Sequence, residues 1–194
     1  IYLGTWEASP LEVAGAYTAF ANGGVRLTPY IIESITDTSG RVLWQTQLSA
    51  RRVFSPRTAN ATSSILQQIT KPGGTAGSMQ RLGFTAPCGG KTGTTNNNSD
   101  GWFMGFTPSL VSGAWVGGEE RDIHFDNMRD GQGAEMALPI WGLYMQKVYA
   151  DKSLGYLQTD TFAIPHGFDP CKDILVNDEA PAIKDVSGLD NLFE

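Results

Sequence analysis

Apolar residues recur at helical spacing in three segments of the chain, residues 10–21, 56–69 and 134–150. Ser9 and Ser55 precede the first two segments and can cap them, and each is followed by a proline suited to the first helical position. Paired glycines follow each of these two segments within a few residues and favour an end to the helix. The pattern therefore predicts three helices.

Shorter apolar segments bounded by turn residues predict strands. Residues 30–36 and 42–48 flank Asp37-Thr38-Ser39-Gly40, which is typical of a hairpin turn. Residues 89–94, 101–107 and 110–117 predict an antiparallel three-stranded meander. Together with the helices, these strands indicate an α+β fold in which helices pack on an antiparallel sheet.

The segments between these elements are polar or rich in small residues. Residues 73–90 predict a short helix or loop, and residues 119–133 predict a loop. After Lys152 the periodic pattern ends, so we expect one domain over residues 1–152 and an extended tail over residues 153–194.

Composition narrows the class of function. The 194 residues are 41% hydrophobic and 18% charged, as in an ordinary globular chain. A net charge of −6, with no basic cluster beyond Arg51-Arg52, argues against a nucleic-acid partner. No apolar run is long enough to cross a membrane. His124 and His166 lie far apart and lack the sequence spacing of metal ligands, so we expect no metal site and no cofactor. The sequence leaves open whether Cys88 and Cys171 form a disulfide.

The segment Gly89-Gly90-Lys91-Thr92-Gly93-Thr94-Thr95 carries the candidate chemistry. Thr92 and Thr94 face the same side of a strand, and Gly93 between them leaves room for a ligand along the backbone. Two hydroxyls and the Lys91 ammonium suit a carboxylate, and a free backbone N–H suits an oxyanion. Gly90-Lys91-Thr92 also matches the end of a nucleotide-binding Walker A motif. That motif requires a glycine where Thr85 stands and a helix directly after the lysine, which Gly93 and the asparagines oppose.

Lys91-Thr92-Gly93 is the third signature of penicillin-binding proteins and serine β-lactamases. Its flanks, Asp100-Gly101-Trp102-Phe103-Met104-Gly105-Phe106 and Ala114-Trp115-Val116-Gly117, resemble the end of the transpeptidase domain of class A, bifunctional penicillin-binding proteins. Residues 7–24 and Ala137-Leu138-Pro139-Ile140-Trp141 resemble two further segments of that family. The resemblance implies that residues 1–152 are the C-terminal part of a transpeptidase domain, with a partial transpeptidase/β-lactamase-like fold.

The resemblance also implies a reaction. A serine attacks the D-Ala–D-Ala bond of a peptidoglycan stem peptide, and the acyl group then passes to an amine of a neighbouring stem; β-lactams acylate the same serine. Lys91 would act beside that serine, and the Thr94 backbone N–H would form half of the oxyanion hole. The substrate would be bound by Thr92, Gly93, Thr94 and Thr95, and the hydroxyls of Thr92 and Thr94 would hold its carboxylate.

One part of the family's machinery is missing from these residues. Neither S-x-x-K nor S-x-N occurs in the chain, and the nearest tetrad, Ser78-Met79-Gln80-Arg81, ends in an arginine that cannot act as a base. We therefore expect the nucleophile to lie before Ile1, in an extracytoplasmic protein anchored to the inner membrane by an upstream segment. The chain alone should be inactive, need the N-terminal part of the same protein as a partner, and expose apolar surface that favours self-association.

Three other functions fit the same residues. A serine β-lactamase uses the same K-T-G signature and would deacylate bound penicillin. A non-catalytic penicillin-binding module would keep the fold without the serine. A purely structural domain would carry K-T-G by chance.

Overall fold

A three-stranded antiparallel sheet forms the centre of the computed structural model, which describes residues 7–164 and 168–169. Its strands are β5 (Gly89–Thr94), β6 (Asp100–Phe106) and β7 (Val111–Gly117), in the order β5-β6-β7. The register pairs Gly93 with Trp102 and Thr94 with Gly101. The predicted meander is confirmed, to within one residue at each strand boundary, and β5 is one edge of this sheet.

Different helices pack on the two faces of the sheet, because successive side chains on a strand point to opposite sides. Helix α4 (Gly133–Ala150) packs on one face, where the buried Trp141 ring meets Phe103 with centroids 5.0 Å apart. The same Trp141 donates its Nε1–H to Ser112 O at 3.1 Å. On the other face, Tyr17 of helix α1 (Pro10–Ala21) lies against Phe106.

The helix predictions are confirmed. Helix α1 begins at Pro10 behind a capping box in which Ser9 and Glu12 satisfy each other's backbone N–H groups. Helix α2 (Pro56–Gln68) begins behind Ser55, whose hydroxyl accepts from Thr58 N–H. Residues 77–82 form a 3₁₀ helix and residues 128–131 form the short helix α3, inside segments predicted as a short helix or loop and as a loop.

The N-terminal strands differ from the prediction. The hairpin exists, but its strands are shorter than expected: β2 (Ser34–Thr36) pairs with β3 (Val42–Gln45). A second pair was not predicted, β1 (Val25–Leu27) with β4 (Ala50–Arg52). Strands β1 and β4 have only three residues each, which is too short to show a periodic pattern. They pair because the hairpin between them brings the two segments together.

Large apolar side chains are exposed around this hairpin. Ile31 is 90% exposed and Leu48 is 79% exposed, and Trp44 is 47% exposed. This exposed apolar surface lies on the hairpin, and exposure on the cleft face that a missing subdomain would cover stays a prediction. Self-association stays a prediction.

The first residues after α4 pack on the domain. A 3₁₀ helix spans Lys152–Leu154, Thr85 donates its hydroxyl to Gln158 at 3.0 Å, and Phe162 lies against Phe106. Residues 170–194 lie outside the described part of the chain, so the boundary of the tail stays a prediction. No described helix is both long and apolar enough to cross a bilayer.

Candidate active site on the edge of the sheet

The register of β5 separates the residues of the K-T-G signature between the two faces of the sheet. Thr92 and Thr94 lie opposite Phe103 and Gly101, on the face that α4 covers. Lys91 lies opposite Met104, on the other face. The prediction that the two threonines share a side is therefore confirmed, and the lysine is separated from them.

Thr94 connects the edge strand to the start of α4. Its Oγ1 accepts a hydrogen bond of 3.0 Å from the backbone N–H of Gly133, the first residue of that helix. Gly133 is buried, and a Cβ there would overlap the carbonyl oxygens of Gly93 and Trp102. Only glycine allows this approach. Because the hydroxyl oxygen accepts from Gly133, the hydroxyl hydrogen of Thr94 is left to donate to a ligand.

The backbone of Thr94 presents a donor at the open edge of β5. Thr95 N–H donates inward to Asp100 O at 3.1 Å. Backbone groups of successive residues in an antiparallel strand point alternately toward and away from the paired strand. The Thr94 N–H therefore points away from β6, as an oxyanion donor at this position requires.

Lys91 occupies the same edge. Its exposed side chain folds along the strand, and Nζ donates to the carbonyl oxygen of Thr92 at 2.8 Å. An ammonium group has three hydrogens, so this contact leaves donors for another partner.

A cavity of about 290 Å³ opens beside the two threonines. Its other walls come from the segment before β5 and from the first turn of α4, where the positive end of the helix dipole lies. Polar side chains dominate the lining residues, which are Gly74, Thr75, Ser78, Arg81, Thr92, Thr94, Gln132, Ala134 and Glu135. Lys91 is not among them.

Sequence reasoning missed most of this wall. Gly74-Thr75-Ala76 resembles a segment of the same family, which was a signal that Thr75 lies near the site. For Arg81 the sequence indicates only that an arginine cannot act as a base. Glu135 and Gln132 carried no signal, since nothing local places the start of α4 beside β5.

Thr95, also predicted to bind substrate, holds a turn instead of lining the cavity. Its Oγ1 accepts from the backbone N–H groups of Ser99 and Asp100, at 3.1 and 2.9 Å. Asp100 in turn accepts from Trp115 Nε1 of β7 at 2.9 Å. The substrate-binding role of Thr95 stays a prediction without a contact in the cavity.

Cys88 is not suited to act as a nucleophile. It is 7% exposed and forms no disulfide with another described residue, and burial raises the pKa of its thiol to about 12. A thiol with that pKa is protonated at neutral pH and unreactive. Its possible partner Cys171 lies outside the described residues. Among residues 7–164 and 168–169, no group of histidine, cysteine and carboxylate side chains could hold a metal ion.

Comparison with known proteins identifies the family. The transpeptidase domain of penicillin-binding proteins matches residues 3–116. Penicillin-binding protein 1A of Neisseria lactamica is 39% identical over 153 residues, which are 74% of this chain and 18% of that protein. Penicillin-binding protein 1A of Pseudomonas aeruginosa is 30% identical over 202 residues, which cover 78% of this chain and 24% of that protein. The chain thus spans about a fifth of the length of these curated relatives.

A solved structure shares the fold. The crystal structure of penicillin-binding protein 1A from Haemophilus influenzae superposes with a TM-score of 0.70 at 28% identity, covering 81% of this chain and 28% of that one. The α+β fold and the resemblance to class A penicillin-binding proteins are confirmed. This chain belongs to the penicillin-binding protein transpeptidase family.

Proposed function

We propose that this chain is the substrate-binding part of a peptidoglycan D,D-transpeptidase, in a protein whose nucleophilic serine lies outside the 194 residues. The observation that supports it best is the pair Thr92 and Thr94, side by side on an edge strand and lining a polar cavity. Their hydroxyls bind the terminal carboxylate of a stem peptide or the carboxylate of a β-lactam.

The reaction has two acyl transfers. The serine oxygen attacks the carbonyl carbon between the two D-alanines, and the terminal D-alanine leaves with a proton on its nitrogen. The serine ester is then attacked by an amine of a neighbouring stem peptide, which releases the serine and forms the cross-link. Each step passes through a tetrahedral intermediate with a negatively charged oxygen.

Thr94 serves both transfers through its backbone. Its N–H points away from β6, toward the side from which a ligand would lie along the strand. One donor of an oxyanion hole typically lowers the barrier by about 3 kcal/mol. The donor is held in place because the Thr94 side chain is bonded to α4 at Gly133.

Lys91 supplies positive charge beside the serine. Its Nζ is held on Thr92 O, within the same edge of β5. From there the ammonium group favours the negative charge that develops on the substrate and can donate a hydrogen bond to the serine or its partner.

The proposed protein acts on the extracytoplasmic side of the membrane, where peptidoglycan lies. Its partners are stem peptides and β-lactams, together with the remainder of its own chain. The membrane anchor expected upstream of Ile1 stays a prediction.

A labelling experiment tests this function. The longer protein that contains this segment and the 194-residue chain alone are each incubated with a fluorescent penicillin, and covalent adducts are detected by intact mass. We expect a stable adduct on the longer protein and none on the chain. Rapid loss of the adduct would indicate a β-lactamase-like hydrolase, and an adduct on the chain alone would place a nucleophile inside it.

A further inference from the structure

Among the described residues that line the cavity beside Thr92 and Thr94, one is cationic, and it is not the lysine of the K-T-G signature. Arg81 lines the cavity, whereas Lys91 projects from the opposite face of the sheet and bonds Thr92 O. Within residues 7–164 and 168–169, Arg81 forms no ion pair or side-chain hydrogen bond. An arginine without an internal partner beside two hydroxyls is a site for an anion.

Arg81 stands on an anchored element. It belongs to the 3₁₀ helix at residues 77–82. On one side of it, Met79 is 3% exposed in the core. On the other side, Leu82 packs so closely on α4 that a Cβ at Gly142 would lie 2.6 Å from its Cδ1. These contacts fix the backbone of Arg81 relative to the site, so its planar guanidinium can be aimed at the cavity.

We propose that Arg81 is a specificity-determining residue that binds the substrate carboxylate together with Thr92 and Thr94. Two neutral hydroxyls alone give a carboxylate no compensating charge, and a guanidinium supplies both the charge and paired donors. This inference rests on the proposed function. It adds a residue from outside the K-T-G strand to the binding site for the carboxylate.

Glu135 gives the cavity a second charge of opposite sign. It lies in the first turn of α4, where the helix dipole stabilises a negative side chain. Its carboxylate repels a bound carboxylate, so Arg81 and Glu135 act on the ligand in opposite directions. Neutralising Arg81 should therefore weaken the binding of a carboxylate, and neutralising Glu135 should strengthen it.

The test uses the longer protein and two probes, a β-lactam with its free carboxylate and the methyl ester of the same compound. The second-order rate constant of acylation is measured for wild type, Arg81→Gln, Arg81→Lys and Glu135→Gln. Arg57→Gln is the matched control, because it removes the same charge from helix α2, outside the cavity.

We expect Arg81→Gln to lower the ratio of the carboxylate rate to the ester rate about tenfold, as for loss of one charge-assisted contact. Arg81→Lys should restore part of the ratio, Glu135→Gln should raise it, and Arg57→Gln should leave it unchanged. The ester rate should fall much less than the carboxylate rate in Arg81→Gln, because the ester carries no negative charge for the guanidinium to bind.

Equal ratios in Arg81→Gln and wild type would overturn the role of Arg81 while leaving the proposed function intact. Equal losses for both probes would show that Arg81 only supports the fold, and would also overturn it. If wild type is not acylated by either probe, the proposed function is wrong and this inference fails with it.

Discussion

Replacing Thr94 with valine should disturb the start of helix α4 as well as substrate binding. Valine keeps the size and branching of threonine but has no oxygen to accept the Gly133 N–H, which the wild-type hydroxyl binds at 3.0 Å. Because Gly133 is buried while Thr94 is exposed, water that enters at position 94 is the acceptor left to the Gly133 N–H. The same change at Thr92 is a matched control, since its hydroxyl has no hydrogen bond within the described residues.

The size of the effect follows from the lost bond. A buried donor left without a partner costs about 1–3 kcal/mol. The Thr94 side chain is exposed, so water replaces part of the bond and we expect about 1 kcal/mol at the low end of that range. Such a loss makes local opening roughly fivefold more frequent. Thr92→Val should change stability by less than about 0.5 kcal/mol.

Hydrogen exchange detected by mass spectrometry measures this locally in the longer protein. The peptide covering residues 130–138 should exchange roughly fivefold faster in Thr94→Val, and at the wild-type rate in Thr92→Val and Thr94→Ser. Acylation by a fluorescent penicillin should fall about tenfold in both valine variants, if each hydroxyl holds the carboxylate. Equal exchange in the two valine variants would refute the link between Thr94 and α4.

Three further outcomes test the packing. Burial raises the pKa of the Cys88 thiol to about 12 from an ordinary 9.0, so the thiol of the unfolded state loses its proton first as pH rises. The free energy of unfolding should therefore fall by up to about 1.4 kcal/mol per pH unit between pH 9.0 and about pH 12. In urea titrations at several pH values, Cys88→Ala should remove the part of this decrease that the thiol causes. Gly133→Ala should lower the free energy of unfolding by about 1–3 kcal/mol, because its methyl group overlaps the Gly93 carbonyl; an unchanged urea midpoint would contradict this. The 194-residue chain should bind an apolar dye and self-associate, as measured by dye fluorescence and light scattering. Replacing both Ile31 and Leu48 with serine should reduce both signals. A monomer that binds no dye would show that the exposed hairpin does not drive self-association.

Much of the fold could be predicted because its signals are local. The caps Ser9 and Ser55, the prolines that follow them and the turn residues that bound the strands each act within a few residues of the element they define. These features predicted the helices and the central meander to within one residue at most boundaries. The pair β1–β4 was missed because three-residue strands carry too little periodicity, and their partner lies beyond the hairpin.

The sequence by itself determined the chemistry of β5: one lysine, two threonines on a common side, and a glycine between them. It also determined the family, since separated segments match it. Only the tertiary structure decided what surrounds that strand. Thr94 meets Gly133, and Arg81 and Glu135 share one cavity, through contacts between elements that are distant in the chain. Such contacts depend on how α4 and the 3₁₀ helix pack against the sheet, and no local pattern of apolar and polar residues records that packing.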